Sequence, residues 1–161
     1  CNEIMAYSYS HIHDLKCTSL RFFTVFGPYG RPDMALFKFV SSMLKNKKID
    51  LFNYGKHERD FTYVDDVVKS IAKLLEKKNN IKFNVFNIGS NRPVKLNDFV
   101  KKIKNVLNIE PKVNYLPLQL GDVHKTHADN TKIKNFVGDF NQTSVDKGIK
   151  EFVRWFIKYY K

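Results

Sequence analysis

Two stretches of continuous apolar sequence constrain this chain most. Thr18 to Phe26 (TSLRFFTVF) and Phe83 to Ile88 (FNVFNI) are β-branched and aromatic runs without strict apolar–polar alternation, and such runs read as strands covered on both faces. Each ends in a turn signal, Gly27-Pro28 and Gly89-Ser90. Helical patterns follow both, so the order predicts an α/β fold with a partly parallel sheet. Two such strands are too few to make that sheet alone.

The remaining elements fall between these runs. Asn2 to His13 reads as the remainder of a helix, and Ala35 to Asn46 places Leu36, Phe39, Val40 and Met43 at helical spacing. Two short strands, Ile49 to Phe52 and Arg59 to Tyr63, are expected to be joined across Gly55. Asp65 is a good N-cap for the next helix, with Asp66 in its first turn. That helix should turn Val68, Ile71, Ala72 and Leu75 inward and Lys69, Lys73 and Lys77 outward. A helix over Asn97 to Leu107, a strand over Lys112 to Leu116 and a polar loop from Pro117 to Thr126 come next. Ile149, Phe152, Val153, Phe156, Ile157 and Tyr160 form an apolar stripe on a final helix.

The 161 residues, 43% of them hydrophobic, can bury one sizeable core or two small ones. No stretch approaches the roughly 20 uninterrupted apolar residues of a membrane span, and the N-terminus lacks the pattern of a signal peptide. Two cysteines, Cys1 and Cys17, make no disulfide framework or CxxC pair. These features lead us to expect a soluble cytoplasmic protein without a membrane partner.

A net charge of +12 invites a polyanion reading. Only five of the 28 basic residues are arginine, however: Arg21, Arg31, Arg59, Arg92 and Arg154. The lysines lie on outward helix faces without interleaved aromatics, and no nucleic-acid motif accompanies them. A nucleic-acid partner is therefore not expected. The arginines carry more information, because a guanidinium fork recognises phosphate or carboxylate in a way that lysine does not.

The string Leu20-Arg-Phe-Phe-Thr-Val-Phe-Gly-Pro-Tyr-Gly-Arg-Pro-Asp-Met-Ala35 is the most specific in the chain. Further matches follow in order: Arg59-Asp-Phe-Thr-Tyr-Val-Asp-Asp66, Phe86-Asn-Ile-Gly89, Gly121-Asp-Val123, Thr126-His-Ala-Asp129 and Gly148-Ile-Lys-Glu-Phe-Val-Arg-Trp155. Together they resemble the NAD-dependent sugar-nucleotide epimerase/dehydratase branch of the extended short-chain dehydrogenase/reductase family, and within it the UDP-glucuronate 4-epimerases. The resemblance implies the C-terminal part of an extended Rossmann-like fold plus its smaller substrate-binding domain. Strands near 18–26 and 83–88 would belong to the parallel sheet, and substrate-binding parts would lie mainly in 27–63 and 108–161. The family's glycine-rich dinucleotide turn and Tyr-x-x-x-Lys pair do not occur in this sequence. The N-terminal NAD-binding half is expected to be absent, with no catalytic acid–base residue in these 161 residues.

The resemblance also assigns roles. Arg59 matches the arginine that pairs a diphosphate oxygen, against the plainer alternative of a surface ion pair with Glu58 or Asp60. Arg31, in the Gly/Pro loop, would meet phosphate or carboxylate unless it pairs with Asp33. Thr24 stands where the family touches the sugar, and its alternative is a hydroxyl bonded back to the chain. Phe52 would stack on or edge the uracil, or simply pack. Asp122 resembles the carboxylate that accepts hydrogen bonds from the ribose hydroxyls. Gln119 fits the glucuronate-epimerase pattern before it, whereas Leu120 departs from it. Backbone atoms of Phe22 and Phe23 would approach the nicotinamide of NAD. Asp65 and Asp66, His11, His13, His124 and His127, and Ser8, Ser10 and Ser90 read as structural, and no metal site is expected.

The implied reaction removes hydride from the sugar C4, lets the 4-keto sugar rotate about its anchored diphosphate, and returns hydride to the opposite face. The partners expected are a UDP-sugar and, for the full-length enzyme, a second copy in a homodimer. These 161 residues alone would be inactive and poorly stable. The alternatives are another nucleotide-sugar enzyme (UDP-glucose 4-epimerase, 4,6-dehydratase or UDP-glucuronate decarboxylase), a subunit completed by a separate N-terminal polypeptide, or a non-enzymatic basic binding module.

Overall fold

The computed structural model describes residues 1–78, 80–139 and 142–160; positions 140, 141 and 161 of the expected 108–161 stretch lie outside them. In chain order the elements are α1 (Asn2–Ile12), β1 (Cys17–Phe22), β2 (Thr24–Phe26), α2 (Ala35–Leu44), β3 (Lys48–Leu51), β4 (Glu58–Tyr63) and α3 (Val64–Glu76). They continue with β5 (Phe83–Ile88), β6 (Pro93–Lys95), α4 (Leu96–Leu107), β7 (Lys112–Tyr115), α5 (Thr131–Val137) and α6 (Val145–Tyr160).

The expected single strand over 18–26 is two strands. β1 pairs in parallel with β5, Cys17 opposite Phe83 through Phe22 opposite Ile88. β2 pairs in parallel with β4, Thr24 opposite Phe61. The break falls at Phe23, whose N–H reaches back to the Ile88 carbonyl at 3.4 Å while its own carbonyl accepts from Val25 N–H at 2.9 Å. This tight turn moves the chain from one sheet to the other. β1 is also not covered on both faces. Among the described strands it pairs only with β5, and residues along it are exposed or half-exposed.

The two short strands flanking Gly55 likewise do not pair with each other. β3 runs parallel to β7, whereas β4 lies between parallel β2 and antiparallel β6. Between them Phe52–Gly55 forms a tight turn with Asn53, Tyr54 and Gly55 at positive φ. Tyr54 N–H donates to the Leu116 carbonyl and Leu116 N–H to the Leu51 carbonyl, both at 3.0 Å, which ties this turn to the end of β7.

α2, α4 and α6 enclose the larger core against β2 and β4, with Phe26, Phe61, Phe99, Ile103 and Phe152 buried in it. Phe61 and Phe99 stack at 3.9 Å between centroids, and Phe26 meets both rings edge-on. Gly148 lets α6 approach this closely, because a Cβ there would stand 2.6 Å from the Phe26 ring. Burial, with Asp65, Glu151 and Asp66 nearby, holds the Tyr63 phenol above its ordinary range. A smaller cluster of Val67, Phe86, Ile88, Ile133 and Val137 packs α3 and α5 against β5.

α3 departs from its expected phase. Its N-cap is Tyr63, not Asp65, and both aspartates lie in the first turn. Asp66 is buried and accepts hydrogen bonds from Thr143 N–H at 2.6 Å and Thr143 Oγ1 at 2.9 Å. That anchor turns Val67, Ser70, Ile71 and Leu74 inward and leaves Val68, Ala72 and Leu75 exposed. On α6 the apolar stripe is buried through Phe156, whereas Ile157 and Tyr160 are exposed. α5 and β6 are elements without a sequence-based expectation. No helix is long and apolar enough to cross a membrane, among the described residues.

Asp60, 0% exposed, joins three segments. Its carboxylate accepts from Ser90 N–H at 2.6 Å, Asn91 N–H at 2.9 Å, Ala128 N–H at 2.9 Å and Thr62 Oγ1 at 3.3 Å. Removing the carboxylate would orphan three buried or half-buried amides. Asp60→Ala is therefore expected to lower the unfolding free energy by about 3–5 kcal/mol, and the half-exposed Asp98→Ala by less than about 1 kcal/mol. Urea denaturation of the two variants beside the parent chain measures the difference.

Candidate functional site

β4 positions the site by strand alternation. Successive side chains point to opposite faces, so residues two apart share one. Asp60 and Thr62 face the buried anchor, whereas Arg59 and Phe61, together with His57 just before the strand, line a cleft of ≈ 520 Å³. Thr24 opposite Phe61 reaches the same cleft. Phe52 enters from the left-handed turn, Met34 and Lys38 from the start of α2, and Gln119 and Asp122 from the loop after β7.

That loop is zipped to the start of β4. Glu58 N–H donates to the His124 carbonyl and Thr126 N–H to the Glu58 carbonyl, each at 3.0 Å. Arg59, its side chain only 17% exposed, adds Nη2 to Asp122 Oδ1 at 2.7 Å and Nη1 to the carbonyls of Glu58 at 3.1 Å and His124 at 3.3 Å. The carboxylate of Glu58 pairs instead with Lys125 at 3.0 Å, and that of Asp60 lies in its own cage of donors. Neither plainer partner expected for Arg59 is therefore used. A guanidinium has five N–H groups; among the described residues three are engaged and two are left.

Of the residues assigned by resemblance, Thr24, Phe52, Arg59, Gln119 and Asp122 converge on this one cleft. Arg31 does not join them. It pairs with Asp33 at 3.0 Å on an exposed loop, its side chain 73% exposed, and borders a neighbouring opening shared with Phe23 and Tyr29. Arg31 does share a small cavity of ≈ 30 Å³ with Thr24, Val25 and Phe61 beside the cleft, while Asp33 and Met34 of the same loop line the cleft itself. Phe22 lies apart at the carboxyl end of β1, 50% exposed. The Thr24 hydroxyl makes no hydrogen bond among the described residues, so the expected alternative of a bond back to the chain is not realised.

Sequence reading missed His57, Asp33, Met34, Lys38 and Asp50 as cleft residues. A period-two reading backwards from Arg59 finds His57. The others depend on how α2 and β3 pack beside β4, which local sequence does not encode.

A model of the NAD dependent epimerase/dehydratase family matches residues 1–89. Protein CapI of Staphylococcus aureus is 42% identical over 99% of this chain and 53% of its own length. A probable UDP-glucuronate 4-epimerase of Rhizobium meliloti is 38% identical, over 99% of this chain and 52% of its own. The crystal structure of UDP-glucuronic acid 4-epimerase from Bacillus cereus, in complex with UDP-glucuronic acid and NAD, superposes with a TM-score of 0.93 at 29% identity. It covers 98% of this chain and 50% of that one. The chain spans about half the length of the curated relatives it matches.

Because the Thr24 hydroxyl bonds nothing among the described residues, Thr24→Val is expected to change the unfolding free energy by less than about 1 kcal/mol. A denaturant titration showing a larger loss would assign that hydroxyl a structural bond.

Proposed function

Because this chain belongs to the NAD dependent epimerase/dehydratase family, we propose that it is the substrate-holding part of a UDP-sugar 4-epimerase acting between UDP-glucuronate and UDP-galacturonate. The observation that carries this reading is the convergence of Thr24, Phe52, Arg59, Gln119 and Asp122 on one cleft. A nucleotide sugar presents a diphosphate, a ribose diol, a flat base and a hexose. The cleft offers a guanidinium with two uncommitted N–H groups, a carboxylate, an aromatic ring and a hydroxyl. The family relationship, the named relatives and the B. cereus structure support the sugar assignment.

In this reading Arg59 holds the diphosphate, Asp122 the ribose, Phe52 the uracil and Thr24 the hexose, while Gln119 lines the entrance. Arg31 would reach a hexose carboxylate only after releasing Asp33. NAD, when bound, accepts hydride from the sugar C4 and returns it to the opposite face. The residues here fit one border of that group, since the half-exposed Phe22 ends the parallel β1–β5 pair at its carboxyl side, where its backbone is open to a ligand's approach. The sequence contains neither the glycine-rich turn that would receive its pyrophosphate nor a Tyr-x-x-x-Lys pair. The chain's share is to fix the nucleotide so that only the hexose turns, using binding contacts remote from the reacting carbon. The complete enzyme is read as a cytoplasmic homodimer, and these 161 residues alone as inactive.

The test has two parts. The product of the complete reading frame should convert UDP-glucuronate to UDP-galacturonate, with UDP-glucose turned over far more slowly, and the 161-residue chain should show no turnover. Comparable use of UDP-glucose, or turnover by the chain alone, overturns the assignment. In calorimetric titrations of the chain, Arg59→Ala is expected to weaken UDP roughly 10- to 100-fold, the loss of a charge-assisted contact, and uridine by less than about threefold. Equal losses for both ligands would remove the phosphate role.

A further inference from the structure

Beside Arg59 the cleft wall contains a buried imidazole with no assigned task. His57 is 3% exposed, and its backbone is fixed by Leu96 N–H donating to its carbonyl at 2.8 Å. Nδ1 lies 3.0 Å from the Val123 carbonyl. A carbonyl only accepts, so this nitrogen carries the proton of that bond. The other nitrogen, Nε2, faces Asp122 Oδ2 at 3.3 Å and is a buried polar atom without a hydrogen bond among the described residues. Arg59 meanwhile donates to Oδ1 of the same carboxylate at 2.7 Å.

One buried ring thus touches two consecutive residues of the loop after β7, and Asp122 sits between His57 and Arg59. The loop needs such a hold. Asp122 is partly exposed and follows Gly121, whose φ of +82° and open surroundings supply no packing of their own. With Arg59 on one oxygen alone the carboxylate could still swing about that contact, and each rotamer-rich side chain frozen on binding costs about 0.5–1.5 kcal/mol.

We propose that His57 is a positioning residue that holds Asp122 ready to receive the ribose diol of a uridine diphosphate, so that the cleft distinguishes ribo- from deoxyribonucleotides. The inference rests on the nucleotide reading above. Arg59 orders one carboxylate oxygen; His57 fixes the next residue through the Val123 carbonyl, and its ring stands as a wall 3.3 Å from the other oxygen, which limits how far the carboxylate can turn. A site arranged to bond a hydroxyl rejects the analogue that lacks it more strongly than an apolar pocket does. The ring of His124, 6.4 Å away and tilted by 30°, makes no hydrogen bond to His57 and leaves the two contacts undivided.

The experiment compares UDP with 2′-deoxy-UDP by calorimetry in the parent chain, His57→Leu and His57→Gln, with thermal unfolding recorded for each. The parent is expected to prefer UDP by about tenfold or more. His57→Leu should bring the two affinities within about threefold of each other by weakening UDP alone, and His57→Gln, which keeps one donor, should fall between. A structural role instead weakens both ligands in parallel, and that result, or a preference unchanged in both variants, overturns the proposal. Should His57→Leu not fold, the intermediate preference of His57→Gln carries the same decision. A parent chain that binds UDP without ribose preference overturns this inference alone, whereas one that binds no UDP overturns the nucleotide reading with it.

Discussion

The buried carboxylate of Asp60 is the constraint on which the rest of the structure depends. A charge withdrawn from water costs several kcal/mol unless donors replace its hydration. Here the replacements are backbone amides from two distant segments, after β5 and before α5, plus one hydroxyl of its own strand. Each segment satisfies the carboxylate, and the carboxylate satisfies amides that would otherwise be orphaned. The cage therefore fixes the end of β5 and the approach to α5 relative to β4. Gly89 belongs to the same arrangement, because a Cβ there would stand 2.3 Å from Ala128 and 3.3 Å from the Asp60 carboxylate.

Strand alternation carries that rigidity into the cleft. With Asp60 locked on one face of β4, Arg59 and Phe61 are fixed on the other, and His57 extends the row by one step. The loop bearing Asp122 is bonded to the same strand through Glu58, His57 and Arg59. The Asp60 anchor and the site are thus two faces of one six-residue strand. This also accounts for the depth of Arg59: its cost of burial is offset by two carbonyls and a carboxylate, and two N–H groups remain unspent.

Much of this was legible in the sequence where the signal is local. The apolar runs located extended chain over 18–26, as one strand where there are two, and β5, and the string from Arg59 to Asp66 marked the strand that lines the cleft and the helix after it. What was illegible depended on distant partners. Nothing between Thr18 and Phe26 announces a break, since Phe23 ends one pairing only through the Ile88 carbonyl, 65 residues further on. Hydrophobicity alone predicts a phase of α3 with Val68 and Leu75 inward. The phase is set instead by Asp66 bonding Thr143, a polar contact that hydrophobic periodicity cannot register. Adjacent opposite charges suggest an Arg59–Asp60 pair, yet strand alternation sends the two to opposite faces. His57 escaped notice because it lies outside the specific string, although the period-two rule that separates Arg59 from Asp60 also places it in the cleft.

The charge of +12 takes a different meaning in three dimensions. Many lysines sit beside acids on the surface: Lys101 with Asp98, Lys102 with Asp146, Lys104 with Glu110 and Lys125 with Glu58. Surface pairs of this kind contribute little individually, and beyond roughly 8 Å in physiological salt their fields are screened. The cleft itself carries Lys38 and Arg59 against Asp33, Asp50 and Asp122, with His57 between, so it does not concentrate the positive charge of the chain. Recognition there rests on direction instead. Asp50 is held by Asn114 at 2.8 Å and Asp122 by Arg59, and the remaining donors of Arg59 point from a strand that cannot move without breaking the Asp60 cage. For a ligand whose hexose must turn while its nucleotide stays fixed, a few donors on a rigid strand do what a diffuse basic surface cannot, because binding energy assists such a reaction only when the anchor is held more firmly than the group that moves.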